Sequence, residues 1–104
     1  MGRKKHLEHL KEFKKSLSAQ MPIQKMYLFG SRANGKPKRW SDFDLLIVSP
    51  FFRKRTHLNR TLGFYDHWTI DYPVDFLCYT PEEFKKLKGQ VTIVREAVDR
   101  GIEI

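Results

Sequence analysis

Two aspartates, Asp42 and Asp44, stand two positions apart at the head of an apolar run that continues Leu45-Leu-Ile-Val48. Few local structures accommodate that pattern. In a β-strand alternate residues share a face and each step rises ~3.3 Å, so both carboxylates project from one side, ~6.6 Å apart at the backbone. Phe43, Leu45 and Ile47 then point the other way and can enter a core, and Ser49-Pro50 stops the run. A second run, Val74-Asp-Phe-Leu-Cys-Tyr79, carries a third acid, Asp75, in an otherwise apolar strand introduced by Pro73. There Val74, Phe76 and Cys78 face one way and Asp75, Leu77 and Tyr79 the other. An aspartate buried in such a run is costly unless it is paired or bound to a metal. A third run, Lys25-Met-Tyr-Leu-Phe-Gly30, closes on glycine and reads as a buried strand.

Between the strands the period changes. Leu7, Leu10, Phe13 and Leu17 recur at helical spacing among lysines and predict an amphipathic helix over 3–19, ended by Met21-Pro22. Phe51, Leu58, Leu62 and Tyr65, at spacings of seven, four and three, predict a second helix, weakened by Gly63. Thr80-Pro-Glu-Glu83 reads as a helix start: Thr80 can cap, Glu83 can reach back, and Pro81 suits the first helical position. That helix is expected to stop at Gly89. Val91 to Arg100 reads as a last helix ended by Gly101, and Ile102-Glu-Ile104 as a short edge strand or the tail. Alternating helices and strands predict one α/β (α+β) domain over residues 1–104.

Composition narrows the class. A 40% hydrophobic and 13% aromatic content argues against global disorder. The lone Cys78 has no partner for a disulfide within the chain. No apolar run approaches the ~20 residues that span a bilayer. The Lys-rich start lacks a secretory apolar segment, and His6 replaces the Ser or Thr of a myristoylation motif. A cytoplasmic protein without membrane association is expected. The net charge of +8 is uneven. Residues 1–39 carry 11 Lys and Arg against two acids, whereas the middle concentrates Asp42, Asp44, Asp66, Asp71 and Asp75. A basic surface attracts polyanions, nucleotide triphosphates and nucleic acids alike.

The chemistry lies in the acids. Two carboxylates leaning toward one point repel each other and suit a hard, oxygen-seeking cation such as Mg²⁺. If the Asp75 strand neighbours residues 42–48, three carboxylates would hold two ions ~4 Å apart, an arrangement used for in-line phosphoryl or nucleotidyl transfer. Gly30-Ser31 ends a buried strand ten residues before the Asp pair. Glycine lets a phosphate approach the backbone, and N–H groups and the Ser31 hydroxyl can donate to it. Arg32, Lys36, Lys38 and Arg39 give the following loop four positive charges, suited to a triphosphate. His6 and His9 share a helix face but lack the further ligands of a zinc site. Tyr65, Trp68 and Tyr72 can stack on bases, although core packing is the expected role.

Gly30-Ser31, then Asp42-Phe43-Asp44, then Val74-Asp75-Phe76 resembles the signature of minimal nucleotidyltransferases in the DNA polymerase β superfamily. The resemblance covers residues 25–79. It implies a small mixed β-sheet flanked by helices, the polymerase β-like palm. It further implies that Asp42, Asp44 and Asp75 bind two Mg²⁺ ions and that Asp75 helps activate an attacking hydroxyl. Gly30, Ser31 and Arg32 would hold the phosphates of ATP, and a nucleoside monophosphate would be transferred with release of pyrophosphate. Minimal members are often paired with a HEPN-domain protein, which an antitoxin member modifies with AMP on a tyrosine. Such pairing implies a toxin–antitoxin system and a hetero-oligomer. Two other readings compete: a non-catalytic antitoxin or nucleotide-binding module acting by contact, and nucleic-acid binding through residues 3–39.

Overall fold

Of the run 42–48, Phe43–Val48 forms a strand inside a four-stranded mixed sheet, and Asp42 lies just before it. The structure, a computed structural model, describes residues 3–34 and 42–104. Its elements in chain order are α1 (Arg3–Ser18), β1 (Lys25–Phe29), α2 (Ser31–Asn34), β2 (Phe43–Val48), β3 (Val74–Tyr79), α3 (Pro81–Leu87), α4 (Ile93–Arg100) and β4 (Ile102–Glu103). The sheet order is β3-β2-β1-β4. β1 pairs antiparallel with β2 and β4, whereas β2 and β3 run parallel. Lys36, Lys38 and Arg39, expected beside a triphosphate, lie outside the described residues.

Alternation along the strands builds two cores. Met26, Leu28, Phe43, Leu45, Ile47, Val74 and Cys78 join Leu10, Phe13 and Leu17 of α1 on one face. Tyr27, Phe29, Leu46 and Val48 meet Phe84 of α3 and Val94 and Ala97 of α4 on the other. The sheet is thus covered on both sides, and Asp44 belongs to the face shared with α3 and α4. The Thr80 start behaves as its residues dictate. The Thr80 hydroxyl accepts from the Glu83 N–H, and the Glu83 carboxylate accepts from the Thr80 N–H. Thr92 caps α4 in the same way, accepting from the Arg95 N–H, so the last helix begins at Ile93 rather than Val91. Ile102–Glu103 is an edge strand on β1.

The helix expected from Phe51 to Tyr65 does not form. Three short 3-10 turns replace it, Pro50–Lys54, His57–Asn59 and Phe64–His67. Gly63 adopts φ +83°, outside any right-handed helix, and interrupts the run. The side chains that anchor the segment are Phe52, Arg60 and Phe64, all buried, while Phe51, Leu58, Leu62 and Tyr65 stay exposed. Arg60 reaches back to donate to the Cys78 carbonyl (3.0 Å) and the Glu83 carboxylate (2.6 Å), tying the segment to β3 and α3. Tertiary contacts outweigh a weak helical periodicity here.

Candidate active site

The two strands that carry the acids are neighbours, and their register sets the site. Asp44 on β2 and Asp75 on β3 are directly paired positions. Paired residues on adjacent strands point to the same face, so both carboxylates leave the sheet together on the α3/α4 side. Asp42 sits just before β2 and is exposed; Asp44 is half-buried. Asp75 is exposed rather than buried, because β3 is an edge strand and leaves it open to solvent. The cost expected of a buried acid is therefore avoided at Asp75 and falls on Asp44. Burial pushes the Asp44 carboxyl above its ordinary value, and the negative charges of Asp75 and Asp42 push it further in the same direction.

Gly30 closes the site from the third strand. It follows β1 directly, has φ +75°, and an added Cβ would lie 2.5 Å from Asp44 Oδ2. Both features demand glycine, one through the left-handed backbone and one through contact with the carboxylate. Ser31 opens α2 and is exposed. Arg32 goes elsewhere. Its guanidinium lies over the rings of Phe43 and Tyr72, 4.6 and 4.4 Å from their centroids. Phe43 and Asp44 alternate along β2, so those rings belong to the α1 side, away from the carboxylates.

An open cleft of about 620 Å³ runs over these groups. Gly30, Asp44 and Asp75 line it with Thr61, Tyr65, Leu77, Ile93 and Glu96. Of the last five, Ile93 and Glu96 belong to α4, Leu77 to β3, and Thr61 and Tyr65 to the 50–67 segment. Glu96 and Ile93 are indistinguishable in sequence from ordinary helix-surface positions, whereas Tyr65 carried a signal as one of three aromatics able to stack on a base. Trp68 and Tyr72, the other two, pack against the α1-side core. Asp66 and Asp71 are exposed and do not line the cleft.

Oxygen donors at paired strand positions suit a hard divalent cation. Such an ion also relieves the repulsion that raises Asp44. Among the described residues the ion pairs involve other acids, namely Glu82, Glu83, Asp99 and Glu103. Among the described residues, too, no three His, Cys, Asp or Glu side chains are already gathered round one point as a metal centre. His6 is a core residue, edge-on to Phe43 and Tyr72. Its imidazole is held below the ordinary value by burial and then by the Arg32 charge.

Comparison with known proteins gives the family and the fold. Residues 10–103 match the family model described as Nucleotidyltransferase domain. Over 101 residues the chain is 32% identical to "Probable protein adenylyltransferase MntA" of Haemophilus influenzae, covering 92% of this chain and 86% of that protein. A Sulfolobus solfataricus crystal structure assigned to the nucleotidyltransferases superposes with a TM-score of 0.69 at 20% identity, covering 97% of this chain and 80% of that one. At that identity the likeness speaks for the fold alone, and the mixed sheet with flanking helices is the architecture that the motif resemblance implied. No helix among the described residues is long and apolar enough to cross a membrane.

Proposed function

The chain belongs to the nucleotidyltransferase domain family, and from its site geometry we propose that it transfers AMP from ATP to a hydroxyl of a partner protein. The observation that carries this reading is the pairing of Asp44 with Asp75, with Gly30 so placed that a Cβ there would run into the Asp44 carboxylate. Asp44 and Asp75, with Asp42 at the mouth of β2, would hold two Mg²⁺ ions. Such ions supply charge neutralisation at the transferred phosphoryl group and acidify a bound hydroxyl.

The chain's own residues do the rest. Gly30 leaves room for phosphate oxygens beside the backbone, and the exposed Ser31 hydroxyl donates to them. Arg32, braced against Phe43 and Tyr72, holds the turn that presents both. The solvent-facing Asp75 carboxylate receives the proton of the attacking hydroxyl. The acceptor oxygen bonds to the α-phosphorus, the bond from that phosphorus to the bridging oxygen breaks, and pyrophosphate leaves with the electron pair.

One ground supports a protein acceptor. The relative of 32% identity bears the name protein adenylyltransferase. We take the partner to be a HEPN-type protein whose tyrosine is the acceptor, within a cytoplasmic toxin–antitoxin pair, and residues 1–104 to act as one domain. The test is incubation with α-labelled ATP, Mg²⁺ and the product of the adjacent gene. Label should pass to that protein, and transfer should vanish in Asp42→Ala/Asp44→Ala. Undiminished labelling in the double variant overturns the mechanism. Full neutralisation of the partner by the same variant would instead favour protection by contact.

A further inference from the structure

The lining of the cleft extends beyond Gly30 and the two carboxylates. Besides these it is lined by Tyr65, Phe76, Leu77 and Ile93, with Thr61 and Glu96 as the further polar groups. Tyr65 and Ile93 are 62% and 46% exposed, whereas their sequence neighbours Phe64 and Val94 are buried. The Tyr65 ring is nevertheless held in place. It meets Phe76 edge-on at 5.4 Å between centroids, and the turn that bears it is fixed by Phe64 packed on Phe76 and Phe52. An aromatic ring that is positioned from behind and open toward a cleft is a stacking platform.

We propose that Tyr65 and Ile93 form the nucleobase subsite, with the base of the bound nucleoside triphosphate lying on the Tyr65 ring and Ile93 facing it. This rests on the nucleotidyltransferase reading. Gly30, Asp44 and Asp75 take the phosphates at one end of the cleft, so the nucleoside must extend along what remains. That remainder is lined largely by aromatic and aliphatic side chains, which suit a flat apolar face. Stacking reads little of the base edge, since every base offers a π-face. The subsite should therefore favour purines, with their larger faces, over pyrimidines.

Inorganic tripolyphosphate is the probe that separates the two halves, because it carries the phosphates and no base. Binding of ATP and of tripolyphosphate, each with Mg²⁺, is measured by calorimetry for the wild type, Tyr65→Ala and Tyr65→Phe, with unfolding curves for all three. Tyr65→Ala should weaken ATP binding about tenfold, leave tripolyphosphate binding unchanged, and lower Tm by only the few degrees that one exposed aromatic contact supplies. Tyr65→Phe keeps the ring and should hold ATP affinity within about twofold of wild type. The proposal is overturned if Tyr65→Ala leaves ATP affinity unaltered, or weakens both ligands equally. It is also overturned if the variant loses only acceptor modification, which would give this half of the cleft to the acceptor. A wild-type protein that binds neither ligand overturns the nucleotidyltransferase reading along with it.

Discussion

Adding one methyl group at position 30 separates backbone strain from disturbance of the acidic site. Gly30 and Gly63 both have left-handed backbones, φ +75° and +83°. An L-residue in that conformation costs ~1–2 kcal/mol, a penalty the two sites share. They differ in what a Cβ would meet. At Gly63 nothing lies within 4 Å, whereas at Gly30 Asp44 Oδ2 lies at 2.5 Å, about 0.9 Å inside the 3.4 Å of ordinary contact. That clash is relieved by turning the carboxylate away, so it shows in chemistry more than in stability. Gly63→Ala and Gly30→Ala should each lose ~1–2 kcal/mol in urea unfolding, or about 5–15 °C in Tm for a domain of this size. Displacement of a reacting group by about 1 Å costs on the order of 100-fold in rate. Gly30→Ala should therefore lose nucleotidyl transfer about 100-fold, with Gly63→Ala within about threefold of wild type. Equal activity in the two variants would refute the claim that Gly30 shapes the acidic site.

The Arg60–Glu83 pair gives a pH-dependent test. Burial alone would push the Glu83 carboxyl up, but hydrogen bonds from Arg60 and from the Thr80 backbone outweigh it and hold Glu83 below its ordinary 4.5. A lowered carboxyl stabilises the fold above its ordinary value and loses that contribution as pH falls through the lowered one. Glu83→Gln leaves the buried Arg60 guanidinium facing a neutral amide, so it should cost ~2 kcal/mol at pH 7. The gap to wild type should shrink as the pH falls below 4.5 in urea titrations at several pH values; a constant gap contradicts the assignment. Burial pushes the Cys78 thiol up to about 12, against a smaller opposing pull from Arg60. Iodoacetamide should accordingly leave the native protein unlabelled at pH 8 and label it in denaturant, and prompt native labelling would show the thiol to be accessible.

Where local chemistry decides, the chain could be read directly. Strand alternation placed Phe43 and Asp44 on opposite faces, and the Thr80-Pro-Glu-Glu83 tetrapeptide carried its whole capping box within four residues. The neighbourhood of Asp44 and Asp75 was conditional on strand order, which no local pattern specifies; the parallel β2–β3 pairing supplied it. The stretch from Phe51 to Tyr65 forms 3-10 turns rather than the expected helix because its apolar spacing fits a helix only loosely, while the features that govern it are a left-handed glycine and a buried arginine pairing far along the chain. Arg32 follows the glycine turn in sequence, yet its side chain stacks on Phe43 and Tyr72. Glu96 and Ile93 join the cleft only because α4 packs on the same sheet face as Asp44, so nothing at their own positions announces it.

Cation binding most directly probes the metal site proposed at Asp42, Asp44 and Asp75. Mn²⁺ substitutes for Mg²⁺ at oxygen sites and is visible by electron paramagnetic resonance. Titrated in the presence of ATP, the wild-type protein should take up Mn²⁺ with a broadened, protein-bound signal. Asp44→Asn and Asp75→Asn should each abolish most of that uptake, because each removes one arm of the proposed common site. Uptake that is the same in both variants as in wild type would show that the paired aspartates hold no metal.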